Sequence, residues 1–224
     1  MKTLTLAIAG LMLAATTAFA GSDATYRVTF NSTWTARSNP LEYPANAHHS
    51  GMVGATHGSG YALFRAGGIA TDGLKALSER GAHSPFDKEV RAAIEKGAAG
   101  AFFESDPIFG PPGKSVAMFR IDDAHPMVSV AAMIAPSPDW FTGVANLSLK
   151  QEGKWMAKKT VTVYAWDAGT DSGTTYAAAD APTEPRQPVA SSESPHFVQD
   201  GRMVPVGTLV FEKIAEMPGK MPAK

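Results

Sequence analysis

Apolar and polar residues alternate soon after the start of the chain. Tyr26, Val28, Phe30 and Trp34 fall on one face, and Arg27, Thr29, Asn31 and Thr33 on the other. A period of two is that of a half-buried strand. From Ser115 onward similar runs recur as SVAMFRI, MVSVAAMIA, GVANLSLK, KKTVTVYAW and GTLVFEKI, separated by clusters of Pro, Gly and Asp. Short strands between turn signals predict an all-β fold, an antiparallel β-sandwich.

Two segments break this rhythm. One spans Asp72 to Arg80 and stops at Gly81; the other begins near Ser84 and Pro85, places Phe86, Val90 and Ile94 on one stripe, and ends at Gly97. Apolar residues four apart, a capping residue, an early proline and a terminal glycine predict two short helices within one insertion, with Ser84 as the cap of the second. Residues 39–60 carry too many prolines and glycines for regular structure throughout. Residues 177–195, rich in Ala, Pro, Ser and Glu, read as a long surface loop, and residues 217–224 as a flexible tail.

The first twenty residues alter the cellular picture. Lys2, an apolar run from Leu4 to Ala15 and the sequence Ala18-Phe19-Ala20 form a secretory signal peptide with its cleavage site, so the mature chain is expected to begin at Gly21. No later run reaches the roughly 20 apolar residues of a spanning helix. This organisation predicts residues 1–20 as signal, 21–216 as a single domain, and a secreted or periplasmic location. Without Lys2, 19 basic residues face 21 acidic ones, a net charge of −2 that offers no footprint for nucleic acid. A hydrophobic fraction of 44% fills a core for one domain, and the absence of cysteine leaves packing or a bound metal to stabilise an exported fold.

The metal has candidate ligands. The run before Asp167 ends in "WDAGTDSG", which delivers Asp167 and Asp171 among small residues, and MVSVAAMIA ends in Pro136-Ser137-Pro138 before Asp139. If both loops leave the same end of a sandwich, three carboxylates converge, and a cation must offset their repulsion. Carboxylates and loop carbonyls are the hard oxygen donors that Ca²⁺ takes. An EF-hand does not fit: counted from Asp167, its third, sixth and twelfth positions hold Gly169, Ser172 and Ala178. His48, His49 and His57 form a second cluster, whose alternative roles are a nitrogen-based metal site and plain backbone capping.

Three stretches, "HHSGMVGATHGSGYALFRAGGIATDGLKALSERG", "HPMVSVAAMIAPSPDWFTGV" and "WDAGTDSGTTY", resemble the spondin domain, an extracellular module of the F-spondin and mindin type. The likeness runs in order from about Tyr26 to Ile214. It implies a sandwich similar to C2 domains, with Ca²⁺ at one loop end held by Asp139, Asp167 and Asp171. Family members supply a further acid from a preceding strand; here that stretch reads FRIDDAHP, with Arg120 near the place and Asp122 as the additional metal candidate. Animal members carry cysteines and neighbouring modules, so their integrin or matrix binding does not transfer to this chain.

Neither a G-x-S-x-G elbow nor an HExxH pair occurs. The expected function is therefore a noncatalytic, calcium-binding adhesion module that recognises a cell-surface or matrix component, whether polysaccharide, lipid or protein. The competing expectation is a metal-assisted hydrolase in which His125 serves the loop metal. Trp140 and Phe141, beside Asp139, are candidates for ligand contact or peripheral membrane contact if exposed, and core residues if buried.

Overall fold

The computed structural model describes residues 22–218, with side chains through residue 216. The expected signal peptide, the start at Gly21 and the tail beyond Pro218 lie outside the described residues. In chain order the elements are β1 (Ser22–Ser32), β2 (His48–His49), β3 (Val53–His57), α1 (Asp72–Arg80), α2 (Phe86–Glu95), β4 (Ala99–Glu104), β5 (Ile108–Phe109), β6 (Gly113–Ile121), β7 (Met127–Ala135) and β8 (Trp140–Ser148). They continue with β9 (Lys150–Gln151), β10 (Lys154–Trp155), β11 (Lys158–Val163), β12 (Ala165–Asp167), β13 (Ala190–Ser191), β14 (Val198–Gln199), β15 (Arg202–Met203) and β16 (Gly207–Pro218).

Two antiparallel sheets form the expected sandwich. One has the order β11-β16-β1-β6; the other runs β13-β12-β8-β7 and then forks, with β2-β5 along the end of β7 and β3-β4 along its beginning. Tyr26, Val28 and Phe30 of β1 all point into the space between the sheets, as the alternation requires, and Trp34 is buried there too. β16 pairs with β1 through Pro218, opposite Ser22, so the strand runs two residues into the segment read as a tail.

The second sheet is covered on both faces. Val128, Val130, Ala132 and Ile134 of β7 join the inter-sheet core, while Ala131 packs with Leu74, Leu77, Phe86 and Val90 of the helices. Burial on both sides explains why MVSVAAMIA is an almost unbroken apolar run instead of an alternating one. It also explains β3, which lies in the breaker-rich stretch 39–60. All five of its residues are buried, and it pairs with both β4 and β7.

The insertion is held by caps. Thr71 Oγ1 accepts from Leu74 N at 3.2 Å, and Gly81 ends α1 in the left-handed conformation at φ 64°. Glu89 of α2 reaches across to the same helix start, accepting from Gly73 N at 2.8 Å and from Thr71 Oγ1 at 2.7 Å. The expected cap at Ser84 is corrected: Pro85 occupies the N-cap of α2 with no side-chain hydrogen bond. The α2 start instead relies on backbone contacts such as Asp87 N to the His83 carbonyl at 2.9 Å.

The run KKTVTVYAW is two strands. β11 pairs with β16 in the first sheet, and β12 pairs with β8 in the second, so the chain changes sheets at Tyr164. That crossing aims Asp167 at the end of β8.

Candidate metal centre

β7 ends at Ala135, a short turn carries Asp139, and β8 begins at Trp140; β12 pairs antiparallel with β8, setting Asp167 opposite Trp140. One further step along the ladder joins Ala168 N to the Asp139 carbonyl at 3.3 Å. The two loops thus leave the same end of the sandwich and bring Asp139 beside Asp167, with Asp171 in the turn that follows.

Asp139 is fully buried. Its Oδ2 accepts from Thr170 N at 2.7 Å, Asp171 N at 3.1 Å and Thr170 Oγ1 at 3.3 Å, while its Oδ1 is buried with no hydrogen-bond partner. Burial pushes the Asp139 carboxyl up to about 6, the negative Asp167 adds to the rise, and the amides of Thr170 and Asp171 oppose it. Asp167 is raised as well, chiefly by burial, although Gly169 N donates to its Oδ1 at 2.8 Å. Two carboxylates that resist ionisation side by side, one with an orphaned oxygen, are what a small hard cation would neutralise.

Asp171 is placed differently. Its Oδ1 accepts from Gly173 N at 2.7 Å and its Oδ2 from Ala181 N at 2.8 Å, so it pins the 177–195 loop to the turn that carries it. Each oxygen keeps a second lone pair, so ligation is not blocked by these bonds. Among the described residues no three His, Cys, Asp or Glu side chains already stand in a metal-holding group. The geometry therefore offers a close Asp139–Asp167 pair with Asp171 behind it.

Backbone chemistry fixes this turn. Gly169 sits at φ 71°, and a Cβ there would lie 2.2 Å from the Gln187 carbonyl oxygen, so any side chain would collide with backbone. A cavity of about 270 Å³ opens over Asp167 and Asp171, lined also by Trp140, Thr174, Glu193 and Ser194. Glu193 went unnoticed in sequence because it stands in a polar loop remote from both Asp motifs. The pairing of β12 with β13, together with the bonds of residues 181–187 to the Asp turn, brings that loop over the site.

Several expectations are corrected. Asp122 and His125 precede β7, whereas Asp139 follows it; nine extended residues separate the two ends by about 27 Å. Asp122 therefore does not join the Asp139–Asp167 pair, and His125 stands too far away to serve a metal held there. His125 Nδ1 lies 3.0 Å from Asp122 Oδ1 and its Nε2 3.3 Å from the Gly97 carbonyl, roles confined to the far end.

Trp140 and Phe141 are 2% and 0% exposed, so both are core residues with no face to offer a membrane, and Trp140 contributes only to the wall of the cavity at Asp167. Trp140 packs against Tyr176, His196 and Phe197 between the sheets, and Phe141 against Phe64 under the helical layer.

The histidine cluster is dispersed into structural bonds. His49, fully buried and pushed down to about 4 by that burial, bonds Ser32 Oγ at 2.8 Å and the Met133 carbonyl at 3.2 Å. His57, also lowered by burial, bonds Ser129 Oγ at 2.7 Å and the Gly58 carbonyl at 2.8 Å. His48 bonds the Asn46 carbonyl at 2.8 Å. The capping alternative is the one these contacts satisfy.

An antiparallel sandwich with a paired-aspartate loop end and a helical cover over one sheet defines the class. The family profile of the spondin N-terminal domain, Spondin_N, matches residues 24–201, and the chain belongs to that family. It is 32% identical over 207 residues to Spondin-1 of Xenopus laevis, covering 86% of this chain and 25% of that protein. It is 31% identical over 208 residues to Spondin-2 of Rattus norvegicus, covering 87% of this chain and 63% of the relative. Spondin-2 of Homo sapiens is 34% identical over 178 residues, covering 77% and 54%. The chain thus spans about a quarter of the Spondin-1 proteins and less than two thirds of the Spondin-2 proteins that it matches. No helix among the described residues is long and apolar enough to cross a membrane.

Proposed function

We propose that this protein is an exported, noncatalytic binding module whose Asp139–Asp167 loop end takes up Ca²⁺. The observation that carries the reading is Asp139: fully buried, raised in pKa beside a second carboxylate, and left with one oxygen unpartnered. A cation held by Asp139 and Asp167 would offset their repulsion and give the orphaned acceptor a partner. Asp171, in the same turn, would add a third carboxylate, and an all-oxygen donor set is of the kind Ca²⁺ prefers over nitrogen-seeking metals.

The cation acts by joining two loops. Asp139 closes the turn between β7 and β8, Asp167 ends β12, and both loops flank the sheet crossing at Tyr164. Neutralising the acids holds these loops in register, and the module then presents its surface to a cell-envelope or matrix component. Membership of the spondin family supports an extracellular setting, and the signal-like first twenty residues support export.

The test is a calcium titration read by melting temperature, paired with pull-down on envelope fractions with and without chelator. Calcium should raise the melting temperature, and Mg²⁺ at the same concentration should raise it less. Absence of both heat and thermal shift at several millimolar calcium would remove the cation from the account.

A further inference from the structure

The sheet crossing at Tyr164 also opens a cleft on the opposite face from the acids. Trp166 and Asp167 are consecutive in β12: Asp167 faces the loop end, and Trp166 lines a cavity of about 510 Å³. Its walls are residues 143–146 of β8 and 161–163 of β11, and Phe64 and Arg65 stand at its margin.

Both walls are strand edges without a neighbour. β12 pairs with β8 only at Trp140, Phe141 and Thr142, so β8 beyond Thr142 is paired on its β7 side alone. β11 is paired on its β16 side alone. Had the chain continued straight instead of changing sheets, β11 would have covered this length of β8. The cleft is the gap left by that departure. Unpaired strand edges present rows of backbone N–H and C=O groups, and proteins commonly guard them with charge or proline. Here Val161, Thr162 and Val163, together with Gly143, Val144 and Ala145, carry neither.

We propose that this cleft receives an extended peptide segment of a partner protein, added as a strand and carrying an acidic side chain or terminal carboxylate for Arg65. Three observations select that occupant. The edges offer the main-chain bonds that only a polypeptide returns in register, with alternate side chains falling toward the apolar floor. Arg65 is exposed and makes no salt bridge among the described residues, so it supplies a positive charge with no partner in the fold. Trp166, the aromatic that a sugar would need as a platform, is engaged on its own side, edge-to-face with Phe64 at 5.4 Å and stacked with Phe141 at 6.4 Å. The residues after Pro218 do not suit the cleft, because Lys220 and Lys224 repeat the charge of Arg65.

The proposal rests on the reading of the protein as a binding module and locates its recognition surface away from the cation. It is tested by selecting random peptides displayed on phage against calcium-loaded protein, with Ala145→Lys as the counter-target and Arg65→Glu as a second variant. Both variants should keep the wild-type calcium shift in melting temperature, which shows that they fold. Selected peptides should alternate apolar and polar residues and carry an acid. Synthetic copies should lose at least about tenfold in affinity when alternate amides are N-methylated, the effect of two lost hydrogen bonds. They should lose about two- to fivefold against Arg65→Glu, as for an exposed ion pair.

Bound peptide should slow hydrogen exchange in residues 143–148 and 158–163 together. The proposal is overturned by any of these results: no peptide that distinguishes wild type from Ala145→Lys, indifference to N-methylation, protection elsewhere, or displacement by a uronic-acid oligosaccharide that binds more tightly. Self-association that consumes the same edges would assign the cleft to a second copy, which equally contradicts it. A calcium shift without peptide capture defeats the cleft alone, whereas peptide capture without a calcium shift defeats the cation reading alone.

Discussion

Asp167 stands opposite Trp140 in the β12–β8 ladder, and the backbone of Asp139, the residue just before Trp140, is bonded to Ala168. This register brings two carboxylates from remote stretches of sequence together while burying the tryptophan between the sheets. The same pairing that builds the sandwich therefore builds the charge repulsion at its end.

The first consequence is a pH dependence in calcium-free protein. The Asp139 carboxyl is raised from its ordinary value to about 6, so the folded state holds a proton that the unfolded chain releases earlier. The associated stability is fully present below the unfolded pKa and lost as pH rises through about 6. By linkage the loss amounts to at most about 3 kcal/mol. Chemical denaturation in chelator from pH 4 to pH 7 should show it, and Asp139→Asn, which cannot ionise, should make the slope shallower, leaving the smaller contribution of the raised Asp167. Equal slopes for the two proteins would contradict this assignment. Protons and calcium also compete, so calcium affinity should fall as pH drops below 6.

Asp171→Asn should behave differently from an ordinary ligand substitution. Both carboxylate oxygens accept backbone N–H groups, from Gly173 and Ala181, and an amide replaces one acceptor by a donor. One half-buried N–H then loses its partner, at a cost of about 1 kcal/mol even without calcium. Denaturation in chelator should reveal the loss. Calcium binding should weaken less than in Asp167→Ala, because one oxygen remains to coordinate.

Gly169→Ala should destabilise the protein whether or not calcium is present. The residue has a positive φ, and its added methyl would meet the Gln187 carbonyl oxygen. The strain of a non-glycine residue in such a conformation alone costs about 1–2 kcal/mol, and the backbone collision adds to it. A fall in melting temperature with little change in the other loops is the expected reading.

Trp140→Ala should cost roughly 3–5 kcal/mol, the range for removing a large buried aromatic. Lipid vesicles offered to the wild-type protein should not change the fluorescence of Trp140, since its ring is enclosed by Tyr176, His196 and Phe197. A calcium-dependent blue shift from that residue would overturn the buried placement.

Much of this arrangement was legible in the chain. The alternation from Tyr26, the helices ending near Gly81 and Gly97, and the run from Met127 to Ala135 all carry local signals that the fold respects. The convergence of Asp139 and Asp167 followed from treating two strands as leaving one end of a sandwich. What failed depended on distance through space. His125 is fourteen residues from Asp139 in sequence, yet β7 lies between them and sends them to opposite ends. β3 was hidden because a strand buried on both faces and rich in small residues has no alternation to display. The division of KKTVTVYAW into β11 and β12 was invisible because a change of sheet at Tyr164 leaves the apolar pattern intact. Glu193 reaches the site through the β12–β13 pairing and the bonds that tie residues 181–187 to the Asp turn, long-range contacts that no local pattern encodes.

The central claim, that calcium stabilises this fold through Asp139 and Asp167, is tested most directly by a calcium titration of unfolding free energy in wild type, Asp139→Ala and Asp167→Ala. Wild type should gain about 2.7 kcal/mol when calcium reaches about 100 times its dissociation constant, and each variant should gain nothing. Equal stabilisation of all three proteins, or none in the wild type, would contradict the account.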